Sequence, residues 1–403
     1  MTSCHKQTLQ FSKLGSKQIL ANFEGGRITS DTGVLLLREI EKRTGLIQAL
    51  SNAIPDPRDP SKIEHDQYTM LAQRIFGIAL GYEDLNDHDS MRFDPALCAA
   101  VGQSASDHPD NFLASSPTLS RFENRVARNH LIRMSEALID DFIASHDHPP
   151  ESLILDFDAT DSIIHGQQEG RYFHGHYDNH CYLPLYVVCG EALLVAYLRP
   201  SNIDGCKHTR AILKLLTQKM QAAWPNVKIT IRADSGFCRW RLLRWCDSHG
   251  IGYVIGMAGN PVLKKMAVGL IEDAERLFDK TQTKQRLFST VYYGAGKWDR
   301  KRRVIVKAEH TEKGSNPRFV VTNVPGDAEY LYDEIYCQRG EMENRIKEQQ
   351  LGLFADRTSC KRFLANQFRV LLSAAAYVLM ERLRRNGLAG TELAKAQVGT
   401  IRL

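Results

Sequence analysis

Apolar residues in the first third of the chain recur at helical spacing. Val34, Leu35, Leu37 and Ile40 mark one face of a helix that Ser30 and Asp31 can cap and that runs to Ile47. The prolines of IPDPRDP at 54–60 interrupt the pattern, which resumes over 68–80 until Gly81 ends it. Ser120 and Glu123 stand at capping-box spacing, which predicts a third helix over 120–144. Residues 1–150 are thus expected to be mostly helical.

After HDHPPES at 146–152 the period shortens. Residues 153–157, 183–189, 193–198 and 228–233 are short apolar or alternating runs of β-rich composition, and GYVIGM at 252–257 is another. Helical patterns over 207–224 and 239–249 separate the later runs. Strands followed by helix-separated strands predict a mixed α/β sheet flanked by helices. Three further strand-like runs, with turn residues between them, lie within 286–323 and read as a small β-rich insertion. The helical pattern returns from Tyr330, and 361–386 reads as one long, largely buried helix ending in Arg382, Arg384 and Arg385.

Composition narrows the class. A chain of 403 residues has room for two or three domains and a sizeable core. Lys and Arg number 52 against 47 acids, a net charge of +5, which favours an anionic partner mildly but falls short of a wholly basic binding module. The nine cysteines are odd in number, scattered and without a Cys-x-x-Cys pair, a pattern of reduced thiols. No apolar signal core opens the sequence, and the longest apolar run, 370–380, is interrupted by Ser373 and short for a bilayer. The expectation is a soluble intracellular protein with no membrane partner.

Three acids then stand out. Asp158 closes the first core strand in ILDFDATD, and Asp234 closes another in ITIRADSGF, just before a glycine that permits a sharp exit from the sheet. Strand ends in α/β sheets are where sites assemble. Glu343 lies in helical YCQRGEMENRIKE, where Tyr336, Arg339, Glu343 and Gln350 would share one face. The acids are separated by 76 and 109 residues, so only folding can unite them. Converging carboxylates repel and raise one another's pKa unless a divalent cation lies between them, and hard oxygen ligands suit Mg²⁺ or Mn²⁺. Two such ions about 4 Å apart serve phosphodiester chemistry. Solvated strand ends and helix caps account for any one of these acids equally well.

LDFDATD, IRADSGF and the Tyr336-x-x-Arg339-x-x-x-Glu343 pattern resemble the three acidic motifs of DDE-type insertion-sequence transposases, specifically the group with a Tyr-Arg-Glu signature. GYEDLNDHDSMRFDPAL at 81–97, PTLSRFENR at 117–125 and CKRFLANQFRVLL at 360–372 resemble its group 1 members, so the likeness spans nearly the whole chain. The resemblance implies an RNase H-like catalytic core at 151–260 and 326–403, interrupted by the β-rich insertion at 261–325, with an N-terminal helical DNA-binding region at 1–150. It implies Asp158, Asp234 and Glu343 as catalytic ligands of two Mg²⁺ or Mn²⁺ ions, and Tyr336 and Arg339 as holders of DNA phosphate near the cleaved end. Asp158 fits better than Asp156 because the motif places its acid shortly before a Thr, here Thr160. Related signatures end in a Lys seven residues after the Glu; Gln350 stands there, which leaves that role to Lys347 or to no residue.

The implied activity is cut-and-paste transposition by a homodimer on paired inverted-repeat ends, in the cytoplasm at the nucleoid. Metal-dependent cleavage would be followed by a hairpin at the element end and by strand transfer into target double-stranded DNA. The rival is a DNA-binding remnant that no longer cuts and acts as a repressor.

Several positions keep two readings. Arg121, Arg125, Arg128 and Arg133 form a partly basic face that either meets phosphate or is simply solvated. Trp298, in YYGAGKWDRKRR, either stacks on a displaced base or anchors the insertion. Trp224, Trp240 and Trp245 read as core residues. The run RLRRN at 382–386 either contacts phosphate or answers the helix dipole. His174, His176, His180 and Cys181, with His165 nearby, either hold zinc, as in a different metal-dependent hydrolase, or line a polar hairpin.

Overall fold

The computed structural model describes residues 8–21, 28–103 and 112–403. It opens on a hairpin that the helical pattern did not predict: β1 (Leu9–Leu14) and β2 (Lys17–Ala21) turn at Gly15, whose φ of 62° is left-handed. Helices follow: α1 (Val34–Thr44), α2 (Leu46–Asn52), α3 (Gln67–Leu80), α4 (His88–Met91), α5 (Pro95–Ala100), α6 (Ser116–Asn124) and α7 (Arg128–Ala144). Gly45, at φ 66°, divides the first expected helix into α1 and α2. The helix expected over 120–144 is also two. Its supposed capping residue Glu123 is fully buried and accepts a hydrogen bond from Arg74 Nε of α3 at 2.8 Å, so a buried ion pair overrides the local cap.

Next come β3 (Ser152–Ala159), β4 (Ser162–Ile163), β5 (Tyr172–His174), β6 (Asn179–Tyr182), β7 (Leu185–Cys189) and β8 (Ala192–Tyr197). Then follow α8 (Thr209–Ala223), β9 (Lys228–Ala233), α9 (Trp240–Ser248), β10 (Gly252–Met257), α10 (Pro261–Met266) and α11 (Val268–Thr281). Strands β11 (Gln285–Tyr293), β12 (Arg302–Thr311), β13 (Gly314–Ser315) and β14 (Arg318–Thr322) precede α12 (Ala328–Tyr330), α13 (Gly340–Lys347), α14 (Phe363–Arg382) and α15 (Val398–Arg402).

Among the described residues, a nine-stranded mixed sheet runs β11, β12, β14, β10, β9, β3, β7, β8, with β13 beside β12. β3, β9 and β10 pair in parallel, and the remaining pairs are antiparallel. The runs expected as an insertion therefore extend the central sheet, with β14 against β10. Residues 261–281, counted with that β-rich segment, are instead the helices α10 and α11. The reason is burial: Phe319, Val320 and Val321 leave β14 apolar on both faces, which suits a central strand better than an edge.

Alternation sorts the two faces of the sheet. Leu155, Phe157, Val187, Ile229, Ile231 and Ile255 join a cluster with Leu213, Leu216 and Met220 of α8 and Leu242, Leu243 and Cys246 of α9. On the opposite face Tyr186 and Val188 meet α14 and the N-terminal helices, while Val254, Ile305 and Val320 meet Leu331 and Tyr332. Helix α14 is buried on every side from Ala365 to Arg382 and mostly apolar, as suits a central helix. Phe363–Gly387 is long and apolar enough to cross a bilayer, yet 89% of its most apolar window is buried inside the protein. Its Gln367 closes the edge beside β8, accepting from Leu198 N at 2.6 Å and donating to the Ala196 carbonyl at 3.0 Å. Among the described residues, the N-terminal helices and α14 share one apolar cluster.

Glu41 ties α1 to α2 from inside this cluster. Its carboxylate accepts from Ile47 N at 2.9 Å and Gln48 N at 3.1 Å, satisfying the first turn of α2. Burial pushes its pKa up to about 7, against the pull of those two bonds, and Asp141 raises it further. A carboxyl whose folded pKa lies above its unfolded value stabilises fully below the unfolded value and loses that contribution as pH rises through the folded one. Glu41→Gln forfeits one of the two cap bonds, roughly 1 kcal/mol, but carries no charge to bury. Thermal unfolding from pH 5 to pH 8 should show the variant below the native protein at the acid end and gaining on it by ~2–3 kcal/mol at the alkaline end.

Candidate active site

The parallel register fixes where the acids go. Asp156 lies opposite Arg232 and Phe157 opposite Ala233 across β3 and β9; Arg232 lies opposite Val254 and Ala233 opposite Ile255 across β9 and β10. One step further, at the carboxyl ends of the three strands, come Asp158, Asp234 and Gly256. Because side chains alternate, all three belong to the face of Asp156 and Arg232, away from α8 and α9. Asp234 is held by its own turn, its carboxylate accepting from Gly236 N at 2.9 Å.

The third acid arrives from residues 331–352, which depart from the expected regular helix. A wide π turn (Leu331–Tyr336) leads into a 3₁₀ turn (Cys337–Arg339), then α13, then a second wide turn (Glu348–Gly352). Such irregular turns cluster at functional sites because they re-aim side chains. Arg339 is the hub: Nη2 donates to Glu343 Oε1 at 3.2 Å, and Nη1 lies 3.7 Å from Asp158 Oδ2. The Tyr336 hydroxyl fills the space over β10, where a Cβ on Gly256 would lie 2.4 Å from it and 3.1 Å from Ser235 N. Gln350 turns elsewhere and donates to the Asp161 carbonyl at 3.0 Å, so it does not share the face of Arg339 and Glu343. Lys347 is exposed, one turn beyond Glu343.

Behind this row sits a buried ion pair. Arg232 donates to the two Asp156 oxygens at 2.5 and 2.6 Å, and its Nη1 donates to the Ile335 carbonyl at 2.6 Å. Neither Arg232 nor Gly256 stood out in the sequence. The available signal was position: Arg232 precedes Asp234 by two residues, as Asp156 precedes Asp158, so each must share its neighbour's face.

The electrostatics follow from convergence. Burial pushes Asp158 up to about 6, with Asp234 and Glu343 adding to the rise and Arg339 opposing it. Burial works against the Arg339 charge, but Asp158, Tyr336, Asp234 and Glu343 outweigh it and hold its pKa above the ordinary value. Burial likewise raises Tyr336, which keeps its hydroxyl protonated. Among the described residues no three His, Cys, Asp or Glu side chains stand close enough to hold a metal ion as they are. The Arg339 guanidinium instead supplies the positive charge that the carboxylates draw between them. The donor set is all carboxylate oxygen, which fits Mg²⁺ or Mn²⁺ and not a soft metal. A cleft of about 460 Å³ opens beside Tyr336, lined also by Ser235, Lys307, Arg318, Phe319 and Tyr332.

Other expected contacts are differently placed. Trp298 is partly buried, edge-on to Tyr293 and under the Arg302 guanidinium, and does not line that cleft; its anchoring reading fits. Arg125 is engaged with Asp56 at 3.2 Å and Gln67 at 2.7 Å over the Phe122 ring, which leaves it poorly placed for phosphate. Arg121 is exposed, beside the Thr118 hydroxyl at 3.0 Å. Arg382 and Arg384 are buried against Asp141 and Glu348, an internal role that neither reading of RLRRN foresaw. His174 and His180 lie on the small sheet of β4, β6 and β5, and among the described residues the histidines there form no group of three potential metal ligands. That loop does reach the site's edge, where the Tyr177 hydroxyl donates to the Ala159 carbonyl at 3.3 Å.

A cryo-EM structure of a piggyBac transposase synaptic complex with hairpin DNA is similar over 93% of this chain and 80% of that chain, at 9% identity and a TM-score of 0.47, a likeness too loose to carry an argument. No curated protein matches the chain. The family model for the transposase DDE domain group 1 matches residues 11–403. On a match of that extent, the chain belongs to the transposase DDE domain group 1 family.

Proposed function

We propose that the protein is a metal-dependent DNA transposase with an RNase H-like catalytic core, in which Asp158, Asp234 and Glu343 are the catalytic acids. The observation that carries this reading is that Arg339 bridges Asp158 and Glu343, from positions far apart in sequence, while Asp234 ends the parallel strand paired with that of Asp158. In this reading residues 151–260 and 326–403 make the catalytic core, 261–325 add two helices and extend its sheet, and 1–150 contribute to binding inverted-repeat ends. A homodimer would hold two such ends together.

Two Mg²⁺ or Mn²⁺ ions, held by the three carboxylates, would activate the attacking oxygen and relieve charge on the leaving oxygen. The chain's own residues do the rest. Arg339, released from Asp158 and Glu343, would pair with the non-bridging oxygens of the phosphate, for which its planar fork is suited. Tyr336, kept protonated over Gly256, would donate to the same phosphate. Arg318, exposed at the adjoining cleft, offers a cation to the strand beside the cut, while Lys307 there is held by Glu309 over the Tyr332 ring. In hydrolysis one P–O bond forms to water and one breaks to the 3′-oxygen, which leaves as a hydroxyl. That hydroxyl then attacks a target phosphodiester, again one bond for one.

Asp158→Ala, Asp234→Ala and Glu343→Gln should each abolish Mg²⁺-dependent nicking of an end-bearing duplex while leaving end binding within a few-fold; nicking that survives in the Glu343 variant rules out this assignment. Gly256→Ala should keep the fold, since only the Tyr336 hydroxyl and nearby backbone are crowded. Displacing that hydroxyl by about 1 Å should slow single-turnover cleavage by roughly 100-fold, and Tyr336→Phe in the same background should add little further loss.

A further inference from the structure

The three elements that carry the site are joined at a single side chain. Arg232 touches Asp156, two residues before Asp158; it stands two residues before Asp234; and it donates to the carbonyl of Ile335, next to Tyr336 and four residues before Arg339. Asp156 is 2% exposed and Arg232 is 7% exposed, so neither meets substrate directly. Backbone pairing already links β3 to β9, but an independent link is needed to the π turn of Leu331–Tyr336, which has no strand pairing and an irregular ladder of its own. A guanidinium is suited to this: its fixed fork takes a carboxylate with two donors and leaves a third aimed elsewhere, which a lysine cannot reproduce.

We infer that Arg232, oriented by Asp156, is a positioning residue that sets the placement of Tyr336 and Arg339 relative to Asp158 and Asp234, an inference that rests on the proposed catalytic roles. A buried ion pair contributes little net stability, because desolvation cancels most of its attraction, whereas removing one partner leaves a charge buried alone. The pair is therefore better explained by the geometry it imposes than by the energy it supplies. Stability and positioning can then be separated by replacing both partners with apolar residues of similar size.

The test uses the full-length chain carrying Asp156→Leu with Arg232→Met, beside Arg232→Lys, which keeps the charge but not the fork. Three quantities are measured: thermal unfolding, amide hydrogen exchange over residues 331–347, and single-turnover cleavage with end binding alongside. The inference expects the double variant to unfold within a few degrees of the native protein, to exchange at least tenfold faster over 331–347, and to cleave at least 30-fold more slowly at unchanged end affinity. Arg232→Lys should fall between the two. Native exchange over 331–347 in a stably folded double variant overturns the inference, whatever the cleavage rate. Should the native protein not cut DNA at all, the proposed function fails, and the exchange measurement still decides whether Arg232 holds the segment.

Discussion

Everything at the site depends on the register between three parallel strands. A slip of one residue between β3 and β9 would send Asp156 and Asp158 to the apolar face beneath α8 and α9 and bring Leu155 and Phe157 to the other. The apolar residues oppose such a slip most strongly, since Leu155, Phe157, Ile229 and Ile231 are wholly or almost wholly buried. Core packing thus dictates the placement of charge. The acids need no special device to reach the strand ends; they occupy the face and the row that the hydrophobic alternation leaves them.

What that alternation cannot do is compensate the charge. Asp158 is partly withdrawn from water, near two other carboxylates, and its raised pKa records the cost. Arg339 offsets this from an irregular stretch of helix, reaching Asp158 on one side and Glu343 on the other. Further from the surface, Asp156 and Arg232 balance each other inside the same face. The site is a layered arrangement of charges, with an ion pair beneath and a cluster above that is neutralised only in part.

Much of this could be read from the chain and some could not. The strands around Asp158 and Asp234 were legible because a half-buried strand must alternate, and the long helix near the end because a helix without a polar face must be central. The partner of β14 was not legible: nothing within 318–322 names β10, since sheet pairing is a non-local choice. The wide turns flanking α13 were hidden for a related reason, as their sequences have ordinary helical periodicity and the deviation comes from tertiary contacts. Charge was least legible. Arg125, Arg382 and Arg384 look like surface cations in the sequence, and each finds its acid on an element distant in the chain. Motif resemblance supplied Asp158, Asp234 and Glu343 together, which spacing alone did not.

The order in which these groups appear along the chain has a consequence for its synthesis. Asp158 and Asp234 are made well before Arg339 and Glu343, with β10 through β14 between them. A nascent chain stopped before residue 331 contains β3, β9 and β10 and two of the acids, but it lacks Arg339 to answer their charge and Glu343 to complete the set. α14, the shared support of the N-terminal helices, would be missing as well. Fragments released early by interrupted translation would carry the strand ends of the site without Arg339 and Glu343, so the arrangement is complete only with the last fifth of the chain.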